Sequence, residues 1–269
     1  MAVPLSLSPI MVPNGFENDA LGIAARCGYD ALGFRLDKIA PSERALLDSA
    51  SRAADLGLRI LDVEVAFLSP ESTPGDHERL MASAAMLGAD SVLVISWHDD
   101  DSRTVAEFAE LCEFGDQYGV MLALEFMPFS GVRDLRSAVA ITERVGHPRA
   151  RVLPDTLHLA RSGSSLTELA AVDPRLIGYA QVCDADGQPT DGTPDGLRAE
   201  ANGGRRLPGD GHLPVEAYLR ALPPGIPLSI EAPSRFLQDL VGTDSVRLAL
   251  LALQRLLRRL QASAAVERA

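Results

Sequence analysis

The stretch Met121-Leu122-Ala123-Leu124-Glu125 carries the pattern that decides the fold. Its first four residues are apolar on both alternating faces, which is typical of a strand buried in a parallel sheet. The strand then ends on a carboxylate. Three other short apolar stretches end in the same way on one side chain that carries an oxygen atom: Val152–Pro154 on Asp155, Ile177–Ala180 on Gln181 and Leu228–Ile230 on Glu231.

The rest of the chain repeats this alternation of strand-like and helix-like segments. Further strands are predicted at 5–8, 31–34, 59–63 and 91–95, and the last helix is predicted from about Asp244 to Leu260. Eight such units without a linker predict one α/β domain over residues 1–269, a single (β/α)8 TIM barrel. A Rossmann domain is the alternative fold, but no GxGxxG follows the first strand.

The four strand ends are expected to meet. In a closed barrel of parallel strands, all C-terminal strand ends lie at one face, where the active sites of this fold are found. Three carboxylates packed together repel one another unless a cation lies among them. Carboxylate and amide oxygens are hard ligands that suit Mn²⁺ or Mg²⁺, with Co²⁺ or Zn²⁺ as further candidates. The predicted ligands are Glu125, Asp155, Gln181 and Glu231.

Such an ion would act on a small carbonyl compound. Four protein ligands on an octahedral ion leave two positions, which a carbonyl and a neighbouring hydroxyl of a substrate would fill. The ion then polarises the carbonyl, and a nearby carboxylate can remove the α-proton. Arg35, Glu64 and His98 also lie at predicted strand ends, so each is either a substrate-binding residue or half of a surface ion pair.

Composition excludes several other classes. The net charge of −12 and the pI of about 4.8 disfavour nucleic acid and anionic membranes as partners. Three scattered cysteines without a metal-binding spacing are typical of reduced thiols in the cytosol. The first residues lack a basic segment, and no apolar run reaches the roughly 18 residues that span a bilayer. We therefore expect a cytoplasmic protein with a small-molecule substrate.

Two segments stand out from the repeat. Residues 184–212 are rich in Gly, Asp and Pro and show no apolar period, so they predict a long structureless loop that acts as a lid over the site. The last helix is apolar around most of its circumference. It is either an outer helix packed on the first and last strands or a subunit interface of a homo-oligomer.

Five features together resemble the xylose isomerase-like barrels: Glu125, Asp155-Thr156-Leu157-His158, Gln181, the Arg205–Gly211 segment and Glu231. This family includes sugar isomerases and epimerases of the tagatose-epimerase type, with inosose and dehydroshikimate dehydratases and endonuclease IV as relatives. The resemblance covers nearly the whole chain in order and spacing. An endonuclease is disfavoured by the acidic balance and by only five histidines.

The resemblance implies roles for individual residues. Glu125 and Glu231 match the catalytic acid/base pair on opposite sides of the substrate. His158 matches a substrate-binding histidine, and Arg205 matches an arginine that binds substrate hydroxyls. The metal ligands of the family match Glu125, Asp155, Gln181 and Glu231.

Two departures from the family leave the reaction type open. The third metal ligand of the epimerases is typically His, whereas Gln181 looks more like some dehydroshikimate dehydratases. Met127, however, stands where some of those dehydratases have a catalytic His. We expect an isomerase or epimerase of a small ketose, with a dehydratase of a cyclic hydroxy ketone as the alternative. A non-catalytic sugar-binding barrel is disfavoured because idle buried carboxylates are costly.

Overall fold

A computed structural model describes residues 3–16, 18–37, 39–189, 191–235 and 243–266. Its strands form one parallel sheet in the order β6-β5-β4-β3-β2-β1-β8-β7. Isolated parallel bridges, Val152 to Ile177 and Asp155 to Gln181, join the two outer strands and bring the sheet close to a closed barrel. The strands are β1 (Leu5–Leu7), β2 (Ala31–Arg35), β3 (Arg59–Leu68), β4 (Ser91–Ser96), β5 (Met121–Glu125), β6 (Ala150–Leu153), β7 (Ala180–Val182) and β8 (Leu228–Ile230).

Helices follow the strands and surround the barrel, so the predicted TIM-barrel class is confirmed. Among the described residues, none of the helices is long and apolar enough to cross a membrane. The helices are α1 (Ala20–Cys27), α2 (Glu43–Asp55), α3 (Pro74–Leu87), α4 (Asp101–Tyr118), α5 (Leu135–Val145), α6 (Thr156–Arg161), α7 (Leu166–Ala171), α8 (Pro194–Gly203), α9 (Val215–Ala221) and α10 (Thr243–Val266).

Two apolar layers pack on the two faces of the strands. The outward faces of the strands pack against the helices, as Val92 and Leu124 do in the main core. A smaller cluster, which includes Leu61, Leu93 and Leu153, fills the barrel interior. The polar groups at the C-terminal strand ends lie at the opening of the barrel, where active sites of this fold are found.

Several predicted boundaries change in the structure. The third strand continues to Leu68, so Glu64 lies within it rather than at its end. Gln181 is the middle residue of β7. The segment 184–212 is not structureless as predicted, because it contains the ten-residue helix α8. The absence of an apolar period in this short helix, which buries only Ala201, explains why the sequence pattern missed it.

The last helix, α10, is longer than predicted and packs on α1 and β8. Its buried residues include Val246, Leu250 and Leu253. Leu248 and Leu251 on its outer side remain exposed to solvent. The packing agrees with an outer barrel helix, and the homo-oligomer stays a prediction.

Candidate functional site

The four oxygen-bearing side chains predicted as metal ligands lie together at the C-terminal ends of β5 to β8. Glu125 is the last residue of β5, Asp155 follows β6, and Glu231 follows β8 directly. Gln181 in β7 forms a backbone bridge with Asp155 and donates a hydrogen bond from its amide nitrogen to Glu231. All four side chains are buried. The parallel register of the barrel thus gathers residues that are up to 106 positions apart.

Arg205 lies among these carboxylates and balances part of their charge. Its guanidinium lies 2.7 Å from Asp155 Oδ2 and 3.2 Å from Glu231 Oε1, and only 1% of its side chain is exposed. Further hydrogen bonds reach the carbonyl of Ala201 at 2.9 Å and the carbonyl of Glu231 at 3.1 Å. Arg205 is therefore tied into the site, and the contact with substrate hydroxyls that the family resemblance implies for it stays a prediction.

Burial and nearby charges shift the pKa values of the three carboxyl groups in different directions. Burial raises the pKa of Glu125 well above its usual range, and the charges of Glu231 and Asp155 raise it further. Burial also raises the pKa of Glu231, although Arg205 opposes the shift. The pKa of Asp155 is lowered despite burial, because Arg205 and His158 stabilise its ionised form. One carboxylate is thus held ionised, while two resist ionisation unless another cation is near.

His158 is fixed beside this cluster. Its backbone N–H donates to Asp155 Oδ1 at 2.9 Å, which caps helix α6. Its Nε2 lies 3.8 Å from Glu125 Oε1 and 3.4 Å from a guanidinium nitrogen of Arg205. Burial lowers the pKa of His158 to about 4. The imidazole is therefore neutral at pH 7 and can serve as a hydrogen-bonding group next to Glu125.

The oxygen donors of the cluster have the chemistry that a divalent cation requires. Glu125 Oε1 and Gln181 Oε1 are buried without a hydrogen-bond partner, so a cation would satisfy two otherwise costly oxygens. Within the ranges that the structure describes, no group of three or more His, Cys, Asp and Glu side chains is arranged closely enough to hold a metal ion. The chemistry of the donors therefore fits, and in the present arrangement Arg205 supplies the counter-charge.

A cavity of about 220 Å³ opens above the cluster. Two of the predicted substrate residues, Arg35 and Glu64, line it and lie 3.9 Å apart. Glu64 is buried, its Oε1 has no hydrogen-bond partner, and burial raises its pKa well above the usual range. The wall is completed by Ile10, Val65, Phe67, Leu93, Ile95, Trp97, Glu125, Met127, Phe129, His158, Arg198, Ala201, Asn202, Arg205 and Glu231.

His98 is placed differently from the other predicted substrate residues. It is buried but is not part of the cavity wall, and its Nε2 lies 2.9 Å from Glu107 Oε2 on α4. The residue before it, Trp97, lines the cavity instead. Sequence reasoning also missed Phe129 and Arg198. The position of Trp97 directly after β4 was the one available signal, because loop residues after strands form the face of the barrel.

Asp184 organises the loop that carries Arg205. Its carboxylate accepts hydrogen bonds from the backbone N–H groups of Gly209, Gly211 and Leu213 at 2.9–3.1 Å. A Cβ atom on Gly211 would lie 2.3 Å from the Ala185 carbonyl oxygen, so only glycine fits this close approach. The Pro-Gly-Asp-Gly turn is therefore a structural support for the site.

Solved structures with this architecture are numerous. The chain superposes on a xylose isomerase-like TIM barrel/4-hydroxyphenylpyruvate dioxygenase fusion protein with a TM-score of 0.84 and 19% identity, covering 100% of this chain and 45% of that one. It matches the IolI protein with a binding zinc atom at a TM-score of 0.80 and 19% identity, covering 95% and 98%. It matches L-ribulose 3-epimerase with a TM-score of 0.75 and 17% identity, covering 100% of this chain and 99% of that one.

At these identities the likeness establishes the fold, and the activities in those names belong to those proteins. The chain spans less than half of the fusion protein's length. No curated protein matches the sequence. The family model described as xylose isomerase-like TIM barrel matches residues 21–254, most of the chain, and this protein therefore belongs to that family.

Proposed function

We propose that this protein is a divalent-metal-dependent isomerase or epimerase of a small ketose or related polyol ketone. One observation carries the proposal: Glu125 and Glu231 line the same cavity from β5 and β8, three strands apart around the barrel. Proton removal from one carbon and proton return to the same or the neighbouring carbon need two groups that reach the substrate from different directions. The small cavity suits a compact metabolite.

The raised pKa values of the two glutamates suit this role. A carboxylate with a raised pKa is a stronger base than an ordinary one, and its protonated form is available at a higher pH to return a proton. Glu125 would take the α-proton, and Glu231 would deliver a proton from the other side. His158, neutral and buried, would hydrogen-bond a substrate hydroxyl, and Phe67 and Phe129 add apolar surface to the cavity wall.

A metal ion would be held by the four predicted ligands at the ends of β5 to β8. Mn²⁺ and Mg²⁺ suit an all-oxygen donor set best. When bound, the ion would act as a Lewis acid that polarises the substrate carbonyl and acidifies the neighbouring C–H. The unsatisfied oxygens of Glu125 and Gln181 support this assignment.

A dehydratase remains the second candidate, and Glu64 favours it. Expulsion of a β-hydroxyl is assisted by an acid near the leaving group. Met127 cannot provide that acid. Glu64 lines the cavity with an unpartnered oxygen, and burial raises its pKa, which favours the protonated form that a general acid needs. The amide ligand Gln181, which resembles that of some dehydratases, points in the same direction.

Incubation with candidate ketoses in deuterated water, with Mg²⁺ or Mn²⁺ present, separates the two reactions. Solvent deuterium at the substrate α-carbon without loss of water supports isomerisation or epimerisation. A new enone or aromatic absorbance from a cyclic hydroxy ketone would assign dehydration instead. Glu125→Gln should abolish exchange, whereas Glu110→Gln on the exposed outer side of α4 is the matched control. Exchange that survives Glu125→Gln overturns the proposal.

A further inference from the structure

Arg198 on α8 is held at the cavity by two aromatic rings. Its guanidinium carbon lies 5.2 Å from the centre of the Trp97 ring and 5.5 Å from the centre of the Phe129 ring. Trp97 follows β4, Phe129 follows β5, and Arg198 comes from the segment between β7 and β8, so three separate parts of the chain meet here. All three residues line the cavity.

The other two arginines of the cavity already have carboxylate partners. Arg35 lies 2.8 Å from Asp37, and Arg205 pairs with Asp155 and Glu231. Across the part of the chain that the structure describes, no carboxylate lies within ion-pair distance of Arg198. The contacts with Trp97 and Phe129 engage the guanidinium through its positive charge. Within the described residues they leave its N–H donors without a protein acceptor, and Arg198 is exposed to solvent at the rim of the cavity.

Such a group is suited to an anion. The planar fork of a guanidinium matches two oxygens of a carboxylate or a phosphate. A wholly uncharged polyol would offer these donors only weaker hydroxyl acceptors. Asn202, one turn further along α8, also lines the cavity and would add a neutral polar group beside the bound anion.

We propose that the substrate carries an anionic group, a carboxylate or a phosphate, at the end that faces Arg198. The inference rests on the proposed function, since it places the reacting carbonyl at the Glu125 and Glu231 end of the same cavity. Arg198 then selects charged sugars or ring acids over their neutral counterparts.

The chain contains its own reporter for this contact. Trp97 is the one tryptophan of the sequence and lies against Arg198, so its fluorescence follows events at this site. The Mg²⁺-loaded protein would be titrated with D-glucuronate, with inorganic phosphate and with D-glucose as the neutral analogue of the first. Saturable quenching or a spectral shift with one anion, and at least about tenfold weaker binding of glucose, is the expected result. The anion that binds more tightly shows whether the site prefers a carboxylate or a phosphate.

Arg198→Met should weaken anion binding about tenfold or more and abolish the preference over glucose. Arg198→Lys should recover part of the affinity, because it restores the charge without the planar fork. Arg44→Met, at a side chain that is 90% exposed on α2, is the matched control and should bind as the parent does. Circular dichroism would confirm that each variant is folded.

Equal binding of anions and glucose, or anion binding that is unchanged in Arg198→Met, overturns the inference. The second result would mean that the anion binds elsewhere, for example at the metal ion. These readouts do not depend on turnover. Anion selectivity without deuterium exchange in any substrate would leave the Arg198 assignment standing and remove the proposed isomerase or epimerase activity. Deuterium exchange of neutral ketoses without anion selectivity would support the proposed isomerase or epimerase activity and remove the Arg198 assignment.

Discussion

The Arg205 guanidinium lies 2.7 Å from the Asp155 carboxylate at a point where neither side chain is more than 1% exposed. This buried ion pair explains how several acidic groups can share the end of one barrel. Arg205 holds Asp155 ionised and also contacts Glu231, so the protein carries an internal cation beside its predicted metal site. A bound divalent ion and Arg205 would both interact with Asp155 and Glu231.

Removal of this internal cation should destabilise the protein strongly. Arg205→Met leaves Asp155 buried without its partner, and breaking a buried pair typically costs about 3–5 kcal/mol. Urea unfolding would measure the loss. Because a divalent ion can replace the missing charge, Mn²⁺ should restore part of the stability. Arg206→Met, at the neighbouring half-exposed ion pair with Asp186, should cost about 1 kcal/mol or less. Equal losses in both variants would argue against a special role for Arg205.

Metal binding should depend on the ends of the strands. We expect one divalent ion per chain, measured by elemental analysis of protein prepared without chelators. Glu231→Ala should weaken binding in a calorimetric titration, because it removes a carboxylate from a site with few other ligands. Glu216→Ala is the control, since Glu216 lies on α9 and pairs with Arg259. A Glu231→Ala variant that binds metal as tightly as the parent would show that the ligand assignment is wrong.

Stability of the metal-free protein should fall as the pH rises above about 6.5. The pKa of Glu125 is raised in the folded state, chiefly by burial, above the value of 4.5 that the unfolded chain shows. Between these two pKa values the folded state binds a proton that the unfolded state lacks, so deprotonation costs folding free energy. His158 acts in the opposite direction, but only below its unfolded pKa of 6.5.

Urea unfolding at several pH values, with chelator present, would test this sign. Glu125→Gln should be more stable than the parent at pH 8 and should show a smaller dependence on pH, because the amide has no charge to bury. Saturating Mg²⁺ should also reduce the slope in the parent protein. A metal-free parent that becomes more stable between pH 6.5 and pH 8 would contradict the raised pKa.

The segment 184–212 is expected to close over the substrate. Arg161 on α6 pairs with Glu200 on α8 at 2.7 Å. It also donates a hydrogen bond to the carbonyl of Asp186, which precedes α8. Limited proteolysis should cleave this segment more slowly at saturating ligand than without it. Arg161→Met should raise the rate of cleavage, since it releases α8. Cleavage that is equally fast with and without ligand would exclude a lid.

The strand pattern of the sequence determined the architecture and the identity of the central cluster. Burial on both faces makes each parallel strand a short apolar run, so its end is visible where a polar residue interrupts the run. Glu125, Asp155, Gln181 and Glu231 could be placed at one face because the topology of a parallel barrel brings all such ends together. Those inferences need only the local sequence pattern and the rule that the C-terminal ends of parallel strands lie at one face of the barrel.

Tertiary packing alone decided where the long side chains point. His98 turns to Glu107 while its neighbour Trp97 faces the cavity, and no local pattern distinguishes the two. Arg205 is enclosed between Asp155 and Glu231, and Arg198 lies against rings that are about 70 and 100 residues away in the chain. A long side chain on a loop or short helix can reach many positions. The contact that it finally makes depends on distant segments, which local sequence patterns do not encode.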